Sequence, residues 1–110
     1  MKITTKDINE VKVVGFDGEL DTNSAPEAES QLKQFVEQGV KKILLNFEKL
    51  DFISSSGLRI LLVTGQQLKV AGGQLKLCSL NETVQEVFDI SGFSTLLDVF
   101  QNEADALSGF

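Results

Sequence analysis

Short apolar runs of strand length alternate along the chain with longer stretches in which apolar residues recur every three or four positions. Ile3-Thr4-Thr5 and Val11-Lys12-Val13-Val14-Gly15-Phe16 favour β structure, and the turn-forming Asp7-Ile8-Asn9-Glu10 between them predicts a hairpin. The second strand is expected to end at Asp17-Gly18-Glu19-Leu20-Asp21, where acidic residues and glycine break the pattern. Ser24 and Glu27 have the spacing of a capping box, whose side chains satisfy free N–H groups at a helix start, and Pro26 suits the first turn. The helix so begun puts Ala28, Leu32, Phe35 and Val36 on one face and meets Gly39 where a left-handed residue is wanted.

Lys42-Ile43-Leu44-Leu45-Asn46-Phe47 is apolar on both alternating sides, as a strand covered on both faces would be. Glu48-Lys49-Leu50-Asp51-Phe52 then reads as a connection into Ile53-Ser54-Ser55-Ser56-Gly57. A second helix is predicted from about Ser56 to Ala71, stopping at Gly72-Gly73. Leu58, Leu61, Leu62, Gly65 and Leu68 form the stripe expected to face the sheet, while Ile60, Val63 and Val70 fall on the other side beside Arg59 and Gln66. That outer apolar side has two readings: a contact surface for another protein, or packing against a neighbouring helix of the same domain.

Gln74 to Ser79 is the next strand. Ser79 and Glu82 fit a capping box for a helix with Val84, Val87 and Phe88 inward, ended by Gly92. Leu96-Leu97-Asp98-Val99-Phe100 reads as a short edge strand or loop, and Asn102 to Leu107 as a last short helix with Ala104 and Leu107 inward. The succession predicts one α/β domain over residues 1–110, with about four helices covering a small mixed sheet of about four to five strands.

Composition narrows the function mainly by exclusion. Sixteen acidic against ten basic residues give a formal net charge of −6, which disfavours nucleic acid and anionic membrane as partners. No apolar run approaches the roughly 18 residues that span a bilayer, and the polar start argues against a signal peptide, so a cytoplasmic location is expected. The single cysteine, Cys78, lies in an apolar-alternating run and is expected to be a buried small hydrophobe. The chain has no histidine, which removes Ser-His and Cys-His catalysis and most catalytic zinc sites, and it has no phosphate-binding glycine fingerprint. Glu19, Asp21, Glu48 and Asp51 offer thin grounds for a metal or an acid–base pair, because exposed acidic loops are usually just solvated. No catalytic residue, metal or cofactor is expected.

The informative stretch is the serine turn between an apolar strand and a periodic helix. Serines favour helix starts because their oxygens accept hydrogen bonds from the free N–H groups there, so on composition alone the three serines read equally as doing no more than capping and turning. A helix start also carries a partial positive charge that accommodates a phosphate, and Gly57 permits close backbone approach.

Three features occur in a telling order: Gly18-Glu19-Leu20-Asp21, then Leu50-Asp51-Phe52-Ile53-Ser54-Ser55-Ser56-Gly57-Leu58, then Ala71-Gly72-Gly73-Gln74-Leu75. Together they resemble the STAS domain in its stand-alone form, the bacterial anti-sigma-factor antagonists, and the resemblance covers essentially the whole chain. It implies the SpoIIAA-like fold and a protein-binding switch. Unphosphorylated members capture an anti-sigma factor that is also a serine kinase; phosphorylation releases them, and a phosphatase of the PP2C type resets the switch. In the usual motif an Asp precedes the phosphorylated serine, which is followed by Ser or Ala and then Gly. Matched by position, Ser55 takes the acceptor place, Ser56 and Gly57 follow, and Ser54 stands where the Asp would be, which leaves Ser54 and Ser56 as alternative acceptors.

The same resemblance implies that Glu19, Asp21 and Asn23 help form the kinase-facing surface beside Ser54, Ser56 and Gly57 of the turn; the outer side of the second helix, read from its spacing, adds Arg59, Ile60 and Val63 to the expected partner-binding residues. A monomer or weak dimer is expected. The missing Asp and the apolar outer helix face also admit a constitutive interaction subunit of a transporter or signalling assembly, without a phospho-switch.

Overall fold

In the computed structural model, which describes residues 1–110, Asn9 and Glu10 both adopt positive φ, 51° and 69°. Two such residues in succession form the tight hairpin turn whose twist matches its flanking strands. The hairpin is therefore longer than the apolar run alone suggests: β1 (Lys2–Ile8) pairs antiparallel with β2 (Val11–Leu20), from Lys2 opposite Asp17 to Ile8 opposite Val11.

The second strand ends at Leu20, inside the stretch Asp17–Asp21 where its end is expected. It pairs in parallel with β3 (Lys42–Asn46) as far as Gly15 and from Gly18 to Leu20 with β4 (Leu50–Ile53), with a shift of register between Gly18 and Glu19. Gly18 has φ 119°, a conformation L side chains rarely adopt, and its N–H donates to the Lys49 carbonyl at 3.0 Å. Glycine here lets one strand serve two neighbours through an irregular step. The segment expected to be a connection, Glu48–Phe52, thus contains a short strand, and the sheet has six strands rather than four or five. Their order is β1-β2-β3-β5-β6 with β4 beside the end of β2, and every pairing except β1 with β2 is parallel.

Between β2 and β3 runs α1 (Ala25–Glu37), which buries Ala25, Ala28, Leu32 and Phe35 and ends at Gly39 with φ 87°. Its start is not the expected capping box, because the Ser24 side chain accepts no bond from the first turn of the helix. After β4 come α2 (Ser55–Val70), β5 (Gln74–Cys78) and α3 (Glu82–Ser91), then a single 3-10 turn (Phe93–Thr95), β6 (Asp98–Phe100) and α4 (Glu103–Ser108). Asn81, not Ser79, caps α3: its Oδ1 accepts from Val84 N–H at 2.7 Å while its Nδ2 donates to the Leu50 carbonyl at 2.9 Å. The cap therefore also ties α3 to β4. In α4 the inward residue is Ala106; Ala104 is exposed.

Alternate strand residues face opposite sides of a sheet, and the core divides accordingly. Val14, Phe16, Ile43, Leu45, Leu75 and Leu77 join residues of α1, α2 and α3 in one cluster of 20 buried side chains. Val13, Leu44 and Cys78 point the other way into a cluster of five that includes Ala106. The central position expected for β3 is what the structure shows, with Ile43, Leu44 and Leu45 all inaccessible to solvent. Through the larger cluster runs a line of rings, Phe16 to Phe47 at 5.8 Å, Phe47 to Phe88 at 6.5 Å and Phe88 to Phe93 at 6.2 Å. The edge contacts of such pairs contribute about 0.5–1.5 kcal/mol each beyond burial, and they fix α3 against the sheet end where β3 gives way to β4.

Candidate functional site

Because β2 and β4 run side by side in the same direction, they deliver two loops to one end of the molecule. The Ser54 N–H donates to the Leu20 carbonyl at 2.9 Å, so the two chains are tied where each leaves the sheet. One loop is Glu19–Ser24, the other the serine turn.

The three serines of the turn have different jobs. Ser54 is the N-cap of α2, with extended backbone (φ −93°, ψ 174°); its Oγ accepts from Gly57 N–H at 3.3 Å and its carbonyl from Leu58 N–H at 3.0 Å. Ser56 is half-buried and its Oγ lies 3.4 Å from Thr22 Oγ1. Ser55, the first helical residue, is exposed, and its hydroxyl has no partner within the protein. The first turn of α2 contains no acidic residue, so no carboxylate of its own neutralises the positive end of its dipole.

Gly57 is buried rather than presented to a partner. A Cβ there would lie 2.8 Å from Ile53 Cγ1 and 2.9 Å from both Leu20 Cγ and the Leu20 carbonyl oxygen. Glycine thus lets the first turn of α2 sit directly on the end of β2, which holds Ser55 in place.

The Glu19–Ser24 loop is closed by its own side chains. Asp21 Oδ1 accepts from Asn23 N–H at 2.9 Å and Ser24 N–H at 3.1 Å, and Ser24 Oγ accepts from Asp21 N–H at 3.0 Å while donating to the Glu19 carbonyl at 2.7 Å. This is where the Ser24 hydroxyl goes instead of capping α1. The Ser24 N–H, and after it that of Asn23, holds the Asp21 carboxyl below its ordinary range. Glu19, Asp21 and Asn23 line one shallow depression together with Glu27 and Asp51, an acidic surface on the Glu19–Ser24 loop. Sequence reasoning missed two residues here. Thr22, which bridges the loops through Ser56, could have been found as a hydroxyl directly after Gly-Glu-Leu-Asp; Glu27 had been assigned to a cap.

Along α2, Arg59 is exposed one turn beyond Ser55, and Val63 is half-buried in a groove between α1 and α2 shared with Val36 and Val70. Ile60 does not belong to that outer face. It is 1% exposed and packed in the larger core with Ala28, Leu32 and Phe35 of α1, so the neighbouring helix, not a partner, covers it. Among His, Cys, Asp and Glu side chains no group of three or more is placed to hold a metal ion, and no helix is long and apolar enough to cross a membrane.

The STAS domain family model matches residues 2–106, and the chain belongs to that family. It is 34% identical over 110 residues to BtrV of Bordetella bronchiseptica, whose name describes an anti-sigma factor antagonist; the match covers 100% of this chain and 95% of BtrV. The anti-sigma-B factor antagonist of Bacillus subtilis is 33% identical over 86 residues, 78% of each chain. Among solved structures, the phosphorylated form of the Bacillus cell fate determinant SpoIIAA superposes with a TM-score of 0.75 at 26% identity, covering 97% of both chains. The six-strand sheet and four helices are the SpoIIAA-like architecture.

Proposed function

We propose that this protein is a phosphorylation-controlled anti-sigma-factor antagonist. Unphosphorylated, it binds an anti-sigma factor that is also a serine kinase; phosphorylated on Ser55, it lets go, and a PP2C-type phosphatase restores it. The observation that carries this reading is the division of labour among the serines: Ser54 caps, Ser56 meets Thr22, and Ser55 alone is exposed with a free hydroxyl. The relatives named as antagonists support it, as does the existence of SpoIIAA in a phosphorylated and an unphosphorylated form.

The physics of the switch follows from the site. A phosphoserine adds about −1.5 to −2 charges at neutral pH. At the start of a helix with no acidic first turn, that charge is tolerated by the domain itself. The interface is where it costs, because a partner packed on Ser55 must desolvate a dianion beside Glu19 and Asp21. The contact surface comprises Glu19, Asp21, Asn23 and the serine turn, extended along α2 through Arg59 and Val63. Residues 1–110 act as one cytoplasmic domain that performs no chemistry of its own. Purified protein incubated with its kinase and ATP should gain one phosphate by intact mass, lost in Ser55→Ala; equal phosphorylation of that variant refutes the site.

One observation favours a second reading, a constitutive interaction subunit: the groove between α1 and α2 exposes apolar surface, with Val70 90% accessible. On that reading Ser55→Asp leaves partner capture intact.

A further inference from the structure

The sheet face opposite α1, α2 and α3 is covered by one short segment. Residues 103–110 lie over Val11, Val13, Leu44 and Cys78, yet only Ala106 among them is fully buried, with Leu107 and Phe110 half-buried. By contrast α1 buries four side chains against its face. The segment is fastened at its two ends by polar and aromatic contacts. At the start, the Glu103 carboxylate accepts from Asn46 Nδ2 at 2.8 Å and pairs with Lys6 Nζ at 3.0 Å. At the finish, Lys76 Nζ lies 5.3 Å from the Phe110 ring centroid, 5.2 Å from that of Phe100 and 3.3 Å from Asp98 Oδ2.

We infer that residues 103–110 form a strap that lifts as a unit while the sheet and α1, α2 and α3 stay folded, uncovering the apolar strip beneath it and the Cys78 thiol. A six-residue helix has no stability of its own. Its closure buries only the five-residue cluster and not the larger core, and a unit that gives up the smaller share of the buried surface opens at a fraction of the global unfolding free energy. The two clusters share no residue and lie on opposite faces, so losing the small one leaves the large one packed. Both fastenings are side-chain contacts that open without disturbing a β ladder.

Cys78 reports the event directly. It is the only cysteine, it is inaccessible in the closed state, and burial pushes its thiol up, so labelling requires exposure. The experiment is the rate of Cys78 labelling by a small aromatic disulfide reagent under native conditions, across urea concentrations below the unfolding transition. The wild-type rate should not vary with urea over that range. Phe110→Ala, which removes one ring from the lysine clasp, should raise it about tenfold. Glu103→Gln should raise it too, by loosening the other end. Ile60→Val, which weakens only the opposite core, should leave it unchanged. A rate that climbs with urea along the global unfolding slope, and quickens in Ile60→Val as much as in Phe110→Ala, overturns the inference. Labelling of Phe110→Ala at the wild-type rate overturns it as well.

Discussion

Two glycines of α2 receive the same substitution and should answer with opposite signs. Alanine is favoured over glycine within a helix by up to about 1 kcal/mol, chiefly because it loses less backbone entropy on folding. At Gly65 a Cβ would meet Leu75 Cδ2 at 3.6 Å and Leu97 Cδ2 at 3.7 Å, ordinary van der Waals contact, so Gly65→Ala should stabilise by about 0.5–1 kcal/mol. At Gly57 the new methyl meets three atoms within 2.9 Å. Two belong to the core side chains of Ile53 and Leu20, 1% and 0% exposed. The third, the Leu20 carbonyl oxygen, is held in place by the Ser54 N–H it accepts, so helix and strand must separate. Overpacking of that kind costs about 1–3 kcal/mol and outweighs the propensity gain, leaving Gly57→Ala destabilised by about 1–2 kcal/mol. Urea denaturation read by circular dichroism resolves both, and the melting temperatures should diverge from wild type by roughly 4 °C per kcal/mol in a chain of this size. If Gly57→Ala is as stable as wild type, or both variants shift in the same direction by similar amounts, the close seating of the serine turn on β2 is wrong.

Other consequences are simpler to state. Ser54→Ala should cost about 1 kcal/mol through loss of the cap, whereas Ser54→Asp retains a cap acceptor and should stay near wild type; equal losses in parallel urea titrations would deny Ser54 that role. Ile60→Ala should cost about 2–5 kcal/mol as a core cavity while Arg59→Ala stays within about 0.5 kcal/mol, and similar values from thermal denaturation would contradict the burial of Ile60. The carboxyl of Asp21 is held below its ordinary 3.8 by backbone N–H donors, first that of Ser24, and that of Glu103 below its ordinary 4.5, first by Lys6. The folded state therefore binds these protons more weakly than the unfolded chain, so their stabilisation is complete above the ordinary values and fades as pH falls through the lower folded ones. The stability gap between wild type and Asp21→Asn should be present at neutral pH and shrink as pH falls below the ordinary 3.8; a gap independent of pH counts against the loop geometry.

The parts of the fold that periodicity announces are those with a strong local signal. The hairpin, the apolar β3 run, the helix stops at Gly39 and Gly92 and the first helix face all follow from local residue preferences. What escaped is set by distant partners. Leu50–Ile53 carries two exposed residues between two buried ones, with no alternation to mark it, and becomes a strand only because β2 steps sideways at Gly18 to receive it. Asn81 displaces Ser79 as the cap because Ser79 sits at φ 64°, which turns the chain before the helix can begin. Ile60 looked outward because the stripe was drawn as narrow as Leu58, Leu61, Leu62, Gly65 and Leu68; the buried side of α2 is wider and also takes in Gly57, Ile60 and Thr64. At the site, the motif pointed to Ser55, Glu19 and Asp21, but the Thr22–Ser56 link and the addition of Glu27 and Asp51 to the acidic surface depend on how two loops meet.

The central claim is that a phosphate on Ser55 acts at an interface and leaves the domain folded. Its most direct test is calorimetric titration of the cognate anti-sigma factor into the unmodified protein and into protein phosphorylated stoichiometrically at Ser55, with circular dichroism on both. A dianion desolvated beside Glu19 and Asp21 should weaken binding by on the order of a hundredfold, about 3 kcal/mol, with the two spectra superimposable. Equal dissociation constants for the two forms would contradict the account, and so would a loss of binding that coincides with unfolding.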